Sequence, residues 1–455
     1  MLDSLLLSLW MIAAAGSSGQ TPFWAQANTG GLMPAANGGL VCAALETGYQ
    51  EAGAFQWRAG TTLAARAAVG EGAGAQVNEA YAGLRWRALA LDLGMKRHTA
   101  GFVSDRSLGS LSVTGGNVAW SNNARPMPGY TLTLDPVPIP LTRGKVLLEG
   151  AFGDYKTLDD RFVQGALVHN TRFYFIFPFT SRLEFRFGLD HYAMWGGRSS
   201  DPAAVNIPVT FSNYLRVITG QNASSAGSES DQINVIGNQL GGELFRLAWR
   251  GDGWRVAIQH DIPYDDGSGM GFQNFPDGVN TLWFSWDDKD RWISDILFEY
   301  HYTKWQSGPD HDGVVNGEWV ILGGHDNYFN NQEYLSGWTH FGRTIGDPLL
   351  YPCSDAPGIA NNRLSAHHFA LAGKLFRKAP YKLMLTHSAN LGTYDDPLRA
   401  DGSALHQFSC ALQGLVPGLF RQPWLTLAYG VYGDWGEVLP RSVGATLGLR
   451  FNFYY

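Results

Sequence analysis

From His301 to Leu350 the chain reads HYTKWQSGPDHDGVVNGEWVILGGHDNYFNNQEYLSGWTHFGRTIGDPLL, a stretch dense in planar polar groups and aromatic rings. That combination suits a carbohydrate. Amides and carboxylates bind sugar hydroxyls, and the C–H faces of a sugar stack on aromatic side chains. Asp326, Asn327, Asn330, Asn331 and Arg343 are candidates for the first role, and Trp305, Tyr328, Tyr334 and Trp338 for the second. The competing reading is that the same side chains satisfy one another inside a folded plug. Connections this long are usually functional or disordered, and seven aromatics between Trp305 and Phe341 argue against disorder.

Other constellations carry less. Asp310-His311-Asp312 and His325-Asp326 lack EF-hand or HExxH spacing, so no metal is expected. Asp265-Asp266-Gly267-Ser268-Gly269 has the composition of a calcium loop and reads better as a solvated loop tip. A lipase-like enzyme needs Ser and His within reach of each other on one surface, whereas the neighbours His387 and Ser388 fall on opposite faces of a strand. A glycoside hydrolase needs carboxylates paired across a cleft, a spacing that sequence does not fix. No catalytic residue and no cofactor is assigned.

Such residues need a scaffold, and composition narrows the choice. Charged residues make up 16% of the 455, against about 25% in ordinary soluble domains. Aromatics reach 13% and glycines number 56, a mixture found neither in disordered chains nor in coiled coils. A net charge of −7 gives no basis for a nucleic-acid partner. No apolar run approaches 18 residues, which excludes membrane-spanning helices. Cys42, Cys353 and Cys410 are too far apart for a CxxC motif; one disulfide with a thiol left over, or three apolar fillers, are the alternatives.

What remains is strand alternation, and it runs through most of the chain. Leu183, Phe185, Phe187 and Leu189 share one face, and Arg182, Glu184, Arg186 and Asp190 the other. Phe245, Leu247 and Trp249 alternate with Arg246, Ala248 and Arg250, and Ile296, Phe298, Tyr300 and Tyr302 with Asp295, Glu299 and His301. Charges on one face and aromatics on the other fit a transmembrane barrel with a wet lumen. Tight connections at Thr180-Ser181, Gly251 to Gly253, Asp288 to Asp290 and Ala379-Pro380 alternate with long ones at Met194 to Gly241, Pro263 to Asn280 and Gln306 to Leu364. Short periplasmic turns opposite long extracellular loops is the outer-membrane arrangement. The expectation is an all-β, closed antiparallel transmembrane β-barrel of about 18 strands with long extracellular loops plugging its mouth. Twelve strands follow Lys145, and weaker candidates precede it at Leu40 to Gln50, Phe55 to Val69, Gln76 to Trp86, Leu89 to Lys96, Tyr130 to Leu134 and Phe23 to Leu32.

Leu5 to Ala15 is an apolar run followed by Gly16-Ser17-Ser18-Gly19-Gln20. It has the length of a signal-peptide core, although Asp3 stands where a basic residue is usual. A short buried helix is the alternative. The expected organisation is a signal peptide over 1–19 and one barrel over 20–455, with a large extracellular loop over 305–365.

The run YTKWQSGPDHDG, followed by GGHDNYFNN and SGWTHFGRTIGDPLL, resembles the Wzi capsule assembly family of outer-membrane proteins in its Bacteroidetes-like form. AYAGLRWRALALDLGMKR at Ala80 to Arg97, NNARPMPGY at Asn122 to Tyr130 and the N-terminal PFWAQANTGG extend the similarity. The resemblance implies a barrel of about eighteen strands in the bacterial outer membrane, acting as a lectin that attaches or organises capsular or surface polysaccharide, without catalysis. Polysaccharide, outer-membrane lipid and other capsule-export proteins are the partners it implies. Members from enteric bacteria carry a periplasmic helical bundle ahead of the barrel, for which Gln20 to Leu40 is too short. The rival reading from the residues is a porin for small polar or sugar solutes, because the Arg182/Glu184/Arg186 and Arg246/Arg250/Arg255 rows resemble pore linings.

The alternation makes a direct prediction. Phe185→Arg puts a charge against lipid at a cost of about 2–4 kcal/mol near the midplane, whereas Arg186→Gln alters only the lumen. Heat-modifiability on a gel should show a smaller folded fraction for Phe185→Arg than for Arg186→Gln. Equal fractions would count against these face assignments.

Overall fold

A strand that buries neither face in its own protein has to find two environments, and the period of two supplies them with lipid outside and lumen inside. The computed structural model describes residues 5–98, 109–115, 117–204, 206–222, 235–265, 271–309, 313–315, 317–320 and 324–454. Asp310-His311-Asp312 and most of the Asp265–Gly269 loop lie outside them.

Eighteen strands follow one another around a closed sheet: β1 (Leu5–Gly16), β2 (Gly38–Thr47, prolonged by Gln50–Ala52), β3 (Phe55–Ala68), β4 (Gly72–Trp86), β5 (Leu89–Met95), β6 (Pro128–Pro138), β7 (Leu147–Lys156), β8 (Leu167–Pro178), β9 (Leu183–Trp195), β10 (Asn238–Arg250), β11 (Trp254–Tyr264), β12 (Gly278–Trp286), β13 (Asp295–Tyr302), β14 (Arg363–Leu375), β15 (Ala379–Gly392), β16 (Leu405–Pro417), β17 (Leu425–Gly436) and β18 (Ser442–Tyr454). Each pairs antiparallel with its sequence neighbours, and β1 closes the ring against β18, with Leu6 opposite Tyr454. A closed ring has no edge strand and satisfies every ladder hydrogen bond within the sheet, as a bilayer demands.

The expected faces hold. On β9, Phe187 is exposed outside while Asp190 is buried inside. On β13, Phe298 is exposed and Glu299 and His301 are buried. Tight turns of a few residues, such as 179–182 and 251–253, lie on one side with both ends of the chain. The long connections 17–37, 96–127, 196–237 and 303–362 lie on the other. Gly253 has φ +82° in its turn, a conformation that L side chains rarely adopt. Inside the wall, a Cβ on Gly188 would meet Tyr174 Cδ1 at 1.9 Å, so only glycine lets that ring lie across β9.

Two expectations are revised, and the segment expected as a leader core is paired into the sheet. The apolar run Leu5 to Ala15, expected as a leader core, lies within β1 in this structure. It pairs along its whole length with β2 and β18, Leu9 lying opposite Ala43 and Phe451. An eleven-residue apolar run has the length of both a leader core and a membrane strand. Phe23 to Leu32 is not a strand: Phe23–Gln26 forms a single helical turn, α1, with Trp24 and Ala25 buried. β1 takes the place in the count that this segment was expected to fill. The turn expected at Ala379-Pro380 lies earlier, at 376–378, and Pro380 pairs with Lys374 at the start of β15. All three cysteines are free, so the disulfide alternative falls away.

The pairing of β1 predicts that protein extracted from outer membranes retains Leu5–Gly16, read by peptide mass, and that deleting this segment abolishes the heat-modifiable form. A mature, heat-modifiable barrel that starts after Gly19 would overturn the assignment.

Candidate functional site

The inward row of each strand is polar, and its carboxylates are the fixed points from which the interior is built. Asp190 on β9, Asp261 on β11, Glu299 on β13 and Asp434 on β17 are all buried. The connection after β5 enters the lumen and donates backbone N–H groups to them: Val113 to Glu299 at 2.9 Å and Val118 to Asp261 at 2.7 Å, while the Asn117 amide donates to Asp190. His368 on β14 donates to the Leu111 carbonyl at 2.8 Å. α1 enters beside this segment. The Phe23 N–H donates to Asp434 at 3.0 Å, the Trp24 indole to Thr386 at 3.2 Å, and the Asn28 amide to the Val113 carbonyl at 2.7 Å. Leu111, Val113, Val118 and Ala119 pack with Trp24, Trp283 and Leu297 into one apolar cluster inside the barrel.

The 303–362 loop lies over these two segments and is tied to them. The Trp338 indole donates to the Ala119 carbonyl at 2.6 Å, and the Ser121 N–H to the Ile345 carbonyl at 2.8 Å. Arg161, from the connection after β7, donates to the carbonyls of Thr339 and Gly337 at 2.7 and 2.9 Å. A second node forms at Asp277, which accepts from the N–H groups of Trp305 and Gln306 and from the Tyr328 hydroxyl at 2.7–2.8 Å. Burial pushes its carboxyl up to about 6, and those donors hold it from rising further.

The nine residues singled out in the sequence therefore divide. Trp338 is fully buried, edge-on to Tyr192; Tyr328 and Tyr334 are buried, with the Tyr334 hydroxyl on the Gly196 carbonyl. None of the three rings has a face open to a sugar, because the plug needs their volume. Asn330 bonds the Ile359 backbone through both its amide nitrogen and its oxygen, at 3.0 and 2.8 Å. Asn327 accepts from Asn330 and Asn362, Asn331 caps the turn at Glu333 and Tyr334, and Asp326 accepts from Ser307. These four shape the loop. Trp305 keeps 40% of its surface exposed, its indole donating to the Gln273 carbonyl.

Arg343 lies elsewhere, in the wall of a cleft of about 370 Å³ on the long-loop side. The cleft is bounded by 17–37, by the tip 341–352 and by the ends of β3 and β18, and it is lined among others by Gln20, Gln26, Arg66, Phe341 and Tyr351. Arg343 donates to Gln26 Oε1 at 2.9 Å and to the Met33 carbonyl at 3.0 Å. Burial and the nearby Arg66 guanidinium pull it down to about 10, partly offset by Glu71, so it stays cationic at neutral pH. Phe341 is exposed and lies under Arg125, 4.7 Å from ring centroid to guanidinium. Sequence reading did not single out Arg66, Gln20, Gln26 and Tyr351, since they come from three separate segments that only closure of the ring brings together. A second chamber, of about 440 Å³, lies beneath the plug and is lined by Leu111, Lys382 and Gln413. His387 and Ser388 point to opposite faces, His387 exposed and Ser388 buried.

The sequence model of the family described as capsule assembly protein Wzi matches residues 38–350. Among solved structures, Wzi of Escherichia coli, described as an outer-membrane, carbohydrate-binding β-barrel involved in group 1 capsule assembly, is similar with a TM-score of 0.58 at 15% identity, over 98% of this chain and 84% of that one. OccK3 (OpdO) of Pseudomonas aeruginosa gives 0.52 at 10% identity, over 99% and 96% of the two chains. OccK1 (OpdK) of the same organism gives 0.51 at 9%, over 100% and 99%. At these identities the likeness is one of fold. No curated protein matches the chain.

Trp338→Ala tests the plug. Emptying a fully buried tryptophan site costs about 3–5 kcal/mol, and here the loss falls on the interior while the sheet is untouched. Planar-bilayer conductance should rise in Trp338→Ala with heat-modifiability retained, and stay unchanged in Trp305→Ala. Equal conductance in all three proteins would remove Trp338 from the plug's supports.

Proposed function

Since the chain belongs to the Wzi capsule assembly family, we propose that it is a non-catalytic, lectin-like barrel that holds capsular or surface polysaccharide at the extracellular mouth. It is a protein of the bacterial outer membrane. The observation that carries the proposal is the mouth cleft. It lies in the range of roughly 300–1,000 Å³ typical of small-ligand sites, and its lining mixes what a sugar needs: the rings of Phe341 and Tyr351, the guanidinium groups of Arg66 and Arg343, and the amides of Gln20 and Gln26. The chamber beneath the plug lies nearer the short turns, with Ala372, Pro380 and Gly414 in its wall. Trp305, exposed several strands further round the rim, offers a second stacking platform. Against the porin reading stands the apolar cluster inside the lumen.

A stacked ring contributes about 0.5–1.5 kcal/mol beyond its area burial, a small effect at one site. Many barrels engaging one repeating polymer multiply it through avidity. Cells carrying Phe341→Ala with Arg66→Gln should make normal amounts of polysaccharide and shed more of it into the medium, with the barrel heat-modifiable and its conductance unchanged. Unaltered retention would move the site away from this cleft. Polysaccharide chains shorter in the wild type than in a deletion strain would overturn the non-catalytic reading.

A further inference from the structure

On the outer wall across β13 to β16 the side chains change in a fixed order with height. Phe298, Phe369 and Leu385 lie side by side by the register, above the apolar row of Ile296, Leu371 and Leu383. One step nearer the extracellular rim, Tyr300, His367, His387 and Phe408 lie in a row. One step higher come Tyr302, Ser365, Ala389 and His406. The rings touch: Tyr300 and His367 at 4.9 Å between centroids, and His387 and His406 stacked at 5.4 Å with ring nitrogens 3.3 Å apart. Above them stand two cations, Lys304 just past the end of β13 and Arg363 at the first position of β14. Arg363 lies 3.5 Å over the Tyr394 ring, which in turn stacks on His325, and its Nε donates to the Lys304 carbonyl at 3.3 Å.

Lys304 and Arg363 are half-buried on the outside of the barrel, and among the described residues neither has a carboxylate within ion-pair distance. Burial and the Arg363 charge both push the Lys304 ammonium below its usual range. Like charges held together on a partly desolvated surface are unfavourable unless an anion lies between them. We propose that Lys304 and Arg363, with the His367, His387 and His406 imidazoles below them, form a docking surface for the phosphate groups of an outer-leaflet lipid. Charge complementarity names the headgroup, and the vertical order names the lipid. Phe298, Phe369 and Leu385 sit at acyl-chain depth, tyrosines, imidazoles and Phe408 at the interface, and cations at phosphate height, the sequence of environments that a lipid molecule presents. A free glycan has no acyl chains to match the lower rows.

Native mass spectrometry of the full chain in neutral detergent tests this, with synthetic bisphosphorylated lipid A, its dephosphorylated counterpart, inorganic phosphate and oligogalacturonate as probes. Lipid A should bind the wild type. Lys304→Gln and Arg363→Gln should each weaken it about fivefold and the double variant about thirtyfold, while Lys304→Arg with Arg363→Lys retains most of the affinity. Dephosphorylated lipid should bind as poorly as the double variant does. Should the double variant fail to fold, Ser365→Glu, which places a carboxylate on the same outer row, should weaken lipid A comparably. Lipid A bound equally by the wild type and these variants, or lipid bound equally without its phosphates, overturns the proposal. So does oligogalacturonate or inorganic phosphate binding through Lys304 and Arg363 where lipid A does not.

Discussion

The interior depends on one kind of contact, a lumen carboxylate accepting hydrogen bonds from a loop that has left water. A ring of eighteen strands encloses more space than its own side chains fill, so the space is either wet or occupied. Here it is occupied by irregular backbone, and irregular backbone brings N–H groups with no ladder to join. Each left unpaired in a dry interior costs about 1–3 kcal/mol. Glu299, Asp261 and Asp434 stand where Val113, Val118 and Phe23 present theirs. Remove those acceptors and the connection after β5 has no reason to turn inward, nor the 303–362 loop anything to lie on.

The division of the wall into two faces was legible from sequence because it needs only a period of two. The inward and outward rows of β9, β10 and β13 lie where alternation put them, and the twelve strands after Lys145 are β7 to β18. What sequence left open was local information that serves two structures equally. Leu5 to Ala15 is apolar enough for a leader core and for β1, and its partners Cys42 and Arg450 lie far along the chain. Phe23 to Leu32 carries strand-like composition, yet its helical turn forms because Asp434 and Thr386 wait inside a ring that sequence does not display.

The residue types of the candidate site were legible, but their placement was not. The 303–362 loop does contain the aromatic and amide groups of a carbohydrate site, and most of them are consumed in its own construction: Trp338 on Ala119, Tyr328 on Asp277, Asn330 on Ile359. Arg343 is the exception, and it lines the cleft. A surface made from the first loop, the largest loop and two strand ends has no signature in any single stretch of sequence, because proximity there is a property of the closed ring.

The seam between β1 and β18 has a kinetic meaning. Leu6 and Tyr454 are separated by almost the whole chain, so this contact carries the greatest loop-closure entropy of any in the sheet and depends on both ends of the chain being in place. The plug, by contrast, is anchored to strands in the middle, β9 to β15, and to β17. Its carboxylate contacts can form while the sheet is still an open, curling ribbon, when irregular loops can enter from the side instead of threading through a finished mouth. Closing the seam then traps them, so the filled interior records the order of assembly as well as its energetics.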